Sequence, residues 1–125
     1  MITYRDVPGT NIAELLVDGK VCREDFDAVI PKMEKLIGEY GKVRFLEEIR
    51  SFGGVELGVL WDDMKFAFGH LKDFERVAVV TDKRWIKNWS KLGTIFLKAD
   101  VEVFDLDELE KAREWLREKE NAETR

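Results

Sequence analysis

The chain has 125 residues, 45% of them apolar and 38% charged, with a net charge of −5 and one cysteine. This length suits one domain, which buries roughly two-thirds of its unfolded-chain surface and so holds a core without disulfide or metal. The composition excludes a disordered chain, lone Cys22 excludes an internal disulfide or a cysteine cluster for zinc, and the acidic balance argues against general nucleic-acid binding.

Met1 to Arg5 lack the long apolar stretch of a signal peptide. No apolar run approaches the roughly 20 residues that cross a bilayer. The expectation is a soluble, cytoplasmic protein, peripheral to membrane at most. Glutamine is absent and Asn is confined to Asn11, Asn88 and Asn121, a bias that resembles thermophile composition.

Ile2 to Arg5 and Ile12 to Val17 read as strands, with Pro8-Gly9 turning between them and Asp18-Gly19 ending the second. Glu24 and Asp25 open a helix, where acids suit the positive end of the dipole. Phe26, Val29, Ile30, Met33, Leu36, Ile37 and Tyr40 supply its apolar face, and Pro31 is expected to kink or delay it. Gly41 is placed to stop it.

Val43 to Ile49 reads as the next strand, followed by a loop at Ser51-Phe52-Gly53-Gly54 and a helix over about 55–71. Val77 to Val80 is a short continuous apolar run, the pattern of a parallel strand covered on both faces. Asp82 caps an expected third helix over 83–98, weakened by Gly93. Val101 to Phe104 is the last strand. Asp105 with Glu108 makes a capping-box start for a final helix, whose stripe is Leu106, Leu109, Ala112 and Leu116. Residues 121–125 are expected to fray.

The resulting order is β-β-α-β-α-β-α-β-α in a single domain spanning 1–125. Alternating strands and helices require crossovers, hence a mostly parallel α/β sheet of about five strands with an antiparallel N-terminal edge and about four helices.

Three stretches carry a family resemblance: Leu60-Trp61-Asp62-Asp63-Met64-Lys65-Phe66, Phe74 through Val80 to Thr81-Asp82-Lys83-Arg84-Trp85, and Val103-Phe104-Asp105-Leu106-Asp107-Glu108-Leu109. In this order they resemble the SpoIIAA-like family, which has the STAS-type fold of anti-sigma-factor antagonists and is also similar to lipid-holding CRAL-TRIO domains. The resemblance covers most of the chain, and its middle stretch is the most specific part. It implies apolar-ligand binding, membrane association or protein interaction. Anti-sigma antagonists carry an Asp-Ser-Ser/Thr-Gly loop phosphorylated on its first hydroxyl. Here Ser51 and Gly53 match, while Arg50 replaces the acid and Phe52 the second hydroxyl.

Two candidate sites follow. The segment 83–98 holds Lys83, Arg84, Lys87, Lys91 and Lys98 with no acid, so it carries +5 and leaves −10 for the rest of the chain. Trp85, Trp89, Leu92 and Phe96 form a helical stripe beside those cations. That combination describes an interfacial helix or a lid over an apolar pocket. The competing reading is ordinary core with solvated lysines. The second candidate is the loop 50–54, where Ser51, Gly53 and Gly54 follow a parallel strand and precede a helix, a place suited to an anion or a phosphorylated hydroxyl. The competing reading is a plain turn whose glycines supply permissive dihedrals.

His70 stands alone without a metal-binding partner set, and Glu47-Glu48 and Asp62-Asp63 point apart on their elements. No catalytic residue, metal or cofactor is expected. The expected function is a non-enzymatic binding domain for an apolar or lipid-like molecule or an anionic membrane surface. The alternative is a regulatory protein-interaction module acting through loop 50–54. A homodimer through exposed aromatics is a further option.

Overall fold

A computed structural model describes residues 1–51, 53, 65, 69, 72–84, 86 and 100–118. Five strands form one sheet in the spatial order β1 (Ile2–Asp6), β2 (Ile12–Val17), β3 (Val43–Ile49), β4 (Phe74–Thr81) and β5 (Asp100–Phe104). β1 and β2 are antiparallel, and every later neighbour is parallel. The turn joining β1 and β2 needs Pro8 and Gly9 at its centre. Pro8 presets its own φ, Gly9 adopts φ 75°, and the Thr10 N–H donates to the Val7 carbonyl at 3.2 Å.

The strands match the sequence periodicity closely. β2 and β3 have the expected bounds, while β4 begins three residues earlier than the apolar run alone indicates, because Glu75 and Arg76 are polar members of it. Among the described residues there are two α-helices, α1 (Arg23–Tyr40) and α2 (Leu109–Arg117), against the four expected. The stretches expected as the other two, about 55–71 and 83–98, lie largely outside the described residues.

Helix α1 starts at Cys22, whose backbone N–H and thiol both face Asp25 Oδ2 at 3.1 Å. It runs continuously past Pro31 over 18 residues, so the expected late start does not occur. It ends where Gly41 takes φ 76° and returns its N–H to the Ile37 carbonyl at 2.7 Å. Tyr40, assigned to the apolar face from spacing, is instead 46% exposed at the last residue of the helix, where no further turn follows to cover it.

The two faces of the sheet alternate along every strand. Ala13, Leu15, Phe45, Val77 and Val79 pack with Val29, Met33, Leu36 and Ile37 of α1. Ile12, Leu46, Ala78 and Val80 pack with Ala112 and Leu116 of α2 on the opposite face. A 3-10 turn (Leu106–Glu108) leads into α2, with the expected box present: Glu108 accepts the Asp105 N–H at 2.9 Å. No helix among the described residues is long and apolar enough to cross a membrane.

Candidate functional site

The carboxyl ends of β2, β3 and β4 lie side by side, and ligands of open α/β sheets favour this edge. β2 passes into Asp18-Gly19, and Gly19 takes φ 79° to turn the chain toward α1. β3 passes into Arg50-Ser51. The two loops stay joined past the strands: the Arg50 N–H donates to the Val17 carbonyl at 3.1 Å, and the Gly53 N–H to the Gly19 carbonyl at 2.9 Å.

Ser51 locks this junction. Its hydroxyl donates to Asp18 Oδ1 at 2.5 Å and accepts the Gly19 N–H at 2.8 Å. The same Gly19 N–H also reaches the Ser51 carbonyl at 3.2 Å. Asp18 thus supplies a carboxylate beside the serine from the neighbouring strand. The sequence marks Asp18 only as a strand terminator. Its 33-residue separation from Ser51 gives no local signal, and only the parallel register Val17 with Ile49 brings them together. Arg50, which stands where the family loop has an acid, is exposed and turned back to Glu48 Oε2 at 2.8 Å.

Gly53 serves a different purpose from the one expected. It does not occupy the left-handed region. A Cβ there would stand 3.2 Å from the Lys20 nitrogen and 3.3 Å from the Gly19 carbonyl carbon, a tight backbone approach that favours glycine.

At the end of β4, Thr81 is fully buried and its hydroxyl accepts the Lys83 N–H at 3.2 Å. Lys83 lies 3.6 Å from Asp82, and Arg84 is exposed. Ile86 is buried at 6% in the cluster facing α1. Gly54, Trp85, Lys87, Trp89, Lys91 and Phe96 lie outside the described residues, as do His70 and the pair Asp62-Asp63.

Asp105, Asp107 and Glu108 bring carboxylate oxygens within 4.8 Å of one another at the end of β5. Their arrangement follows from the helix cap: Glu108 is held below the usual carboxylate range first by the Asp105 N–H and then by Lys111.

A model of the SpoIIAA-like family matches residues 12–117. The chain belongs to the SpoIIAA-like family. A solved structure is similar over almost the whole length: an uncharacterized protein of the DUF3478 family with a SpoIIAA-like fold from Shewanella loihica PV-4. It shares 22% identity with a TM-score of 0.77, covering 93% of this chain and 92% of that one. At this identity the likeness establishes the fold. Comparison with curated proteins finds no match. Within the SpoIIAA-like frame, the Ser51 loop occupies the junction between the third strand and the segment after it.

Proposed function

We propose that this SpoIIAA-like chain is a non-enzymatic regulatory module whose carboxyl sheet edge contacts a protein partner, with Ser51 controlling that contact. The observation that carries this reading is the Ser51 hydroxyl lodged between the Asp18 carboxylate and the Gly19 N–H. A phosphoryl group on Ser51 removes the proton donated to Asp18 and adds nearly two negative charges beside that carboxylate. Repulsion then separates the 18–20 and 50–53 loops, and the edge presented to a partner changes shape. The test is intact-mass measurement of the protein from its native cells, followed by site mapping. An 80 Da adduct (roughly the mass a phosphoryl group adds) on Ser51, absent from Ser51→Ala, supports the switch; an unmodified mass in every growth condition removes it.

A second reading places an apolar ligand or an anionic membrane surface at segment 83–98. Its support is positional: Lys83 and exposed Arg84 stand at the same sheet edge, where a cationic rim favours anionic headgroups. Buried Ile86 weighs toward ordinary core. Sedimentation with phosphatidylserine vesicles at low salt distinguishes the two, since the regulatory module stays in solution.

A further inference from the structure

At the opposite edge of the sheet, where β2, β3 and β4 begin, lies an open cleft of about 780 Å³, independent of the Ser51 loop. Its volume falls within the range of small-molecule sites. The turn before β2, the end of α1, the starts of β3 and β4 and the end of α2 line it.

The register explains how its charges are arranged. Opposite the step from Val43 to Arg44, β4 carries one additional residue, Glu75. This bulge re-aims Glu75 toward the cleft, where its carboxylate accepts Arg44 Nε at 2.8 Å and Asn11 Nδ2 at 3.4 Å. Glu118, the other acid of the lining, has Oε2 3.9 Å from Arg76 Nη1. Each acid of the cleft is therefore matched to an arginine. Lys42 and Arg117 remain. Both are exposed cations of the lining, and neither side chain makes a hydrogen bond or ion pair with a described residue, although Lys42 acts on Glu75 from a greater distance. The lining itself therefore sums to +1, with Lys42, Arg44 and Arg117 against Glu75 and Glu118, in a chain whose total is −5, and Arg76 behind it adds one further positive charge.

The lining also includes Tyr40, one of two large hydrophobic residues exposed among those described, at 46%. An uncovered aromatic ring beside unmatched cations recognises a ligand with a planar body and an anionic group. A phosphomonoester carries about −1.5 to −2 at neutral pH and can engage both of the unmatched cations.

From this juxtaposition we infer that the cleft binds an organic phosphomonoester, its phosphate held by Lys42 and Arg117 and its planar body against Tyr40. The phosphate needs no displacement of Arg44 or Arg76. Phosphate alone would use the cations but not the ring, which separates the two sources of the anion.

The test is titration of the ¹⁵N-labelled full chain with phenyl phosphate, inorganic phosphate and phenol. Phenyl phosphate is expected to saturate and to shift amides at 9–12, 40–44 and 116–118, more tightly than inorganic phosphate and with phenol weakest. Lys42→Glu combined with Arg117→Glu is expected to weaken phenyl phosphate at least about tenfold, as loss of charge-assisted contacts requires. Tyr40→Ala is expected to erase the preference over inorganic phosphate. Lys42→Gln with Arg117→Gln supplies the milder pair, and unchanged melting of either pair shows an intact fold. The proposal is overturned by absence of saturation at millimolar phenyl phosphate, by binding that survives the charge reversal, or by shifts confined to the Ser51 edge. Ser51→Ala leaves this binding intact, so the result does not depend on the regulatory reading.

Discussion

Arg44 and Arg76 are direct cross-strand partners, and both guanidiniums reach the carboxyl end of α2. Like charges opposed in this way repel, so buried Arg76 and half-buried Arg44 need compensation. The helix supplies it. Arg44 Nη1 donates to the Leu116 and Glu118 carbonyls at 2.5 and 2.7 Å, and Arg76 Nη1 to the Trp115 and Glu118 carbonyls at 2.7 and 3.2 Å. Carbonyls in the last turn of a helix lack the regular i+4 donor and carry its negative pole; here the Trp115 carbonyl also accepts the Glu118 N–H at 3.3 Å. Arg76 also lies over the Trp115 ring, 5.2 Å from its centroid.

The two arginines are expected to contribute unequally. Arg44 satisfies two carbonyls and Glu75, whereas Arg76 leaves its buried Nε without a partner. Arg44→Ala strips Glu75 of its ion pair, leaving it the longer Asn11 contact, and takes the guanidinium from the Leu116 carbonyl, and should cost roughly 2–3 kcal/mol. Arg76→Met removes an unsatisfied donor together with the like-charge opposition, and should cost about 1 kcal/mol or less. Urea unfolding of both variants checks this. A larger loss for Arg76→Met would overturn the compensation argument.

Stability should fall in acid through Glu14. Burial pushes its carboxyl up, but hydrogen bonds from Arg113 and Arg5 outweigh that and hold it below the ordinary value of 4.5. Arg113 meets both carboxylate oxygens at 3.0 Å, joining residues 99 positions apart, and Arg5 donates at 2.7 Å. A folded pKa below the unfolded one means the stabilisation is present above pH 4.5 and disappears as pH falls through the folded value. Glu14→Gln should lose roughly 2 kcal/mol at neutral pH and show a flatter decline as the pH drops below 4.5. Urea midpoints over that range measure it, and parallel declines for the two proteins would sink the assignment.

The strands are legible in the sequence because alternation survives both faces being covered: Ala13 and Leu15 face α1, and Ile12 faces α2. The final helix is legible because its cap is local, from Asp105 to Glu108. What the chain does not reveal is contact across distance. The bulge at Glu75, the pairing of Asp18 with Ser51 and the reach of Arg44 to α2 all depend on register between separate strands. Tyr40 shows the converse, since helical spacing assigns it to the core and its place at the helix end leaves it exposed.

At the Ser51 junction, charge rather than size should govern the response. Ser51→Ala removes a donor to Asp18, but the Gly19 N–H retains the residue-51 carbonyl, so about 1 kcal/mol is expected. Ser51→Asp places a second carboxylate against Asp18 and should cost more, while raising hydrogen exchange at the Gly19 and Gly53 amides. Adding Asp18→Asn to Ser51→Asp should restore part of that loss. No rescue in the double variant would mean that the loop responds to volume.

Two glycines should respond to alanine with opposite signs. Gly38 lies inside α1, exposed and with nothing within 4 Å of where a methyl would stand, so Gly38→Ala adds helix propensity without a clash. A gain of about 0.5–1 kcal/mol is expected. Gly53→Ala instead drives a methyl against the Lys20 nitrogen and the Gly19 carbonyl carbon, both backbone atoms that cannot rotate aside. The loops must separate by a few tenths of an ångström, which lengthens the Gly53 N–H to Gly19 carbonyl bond and should cost roughly 1–2 kcal/mol. Thermal melts of the two variants should therefore move in opposite directions, by a few degrees each. If Gly53→Ala melts at or above the parent temperature, the contact between the 18–20 and 50–53 loops is loose, and Ser51 cannot act through it.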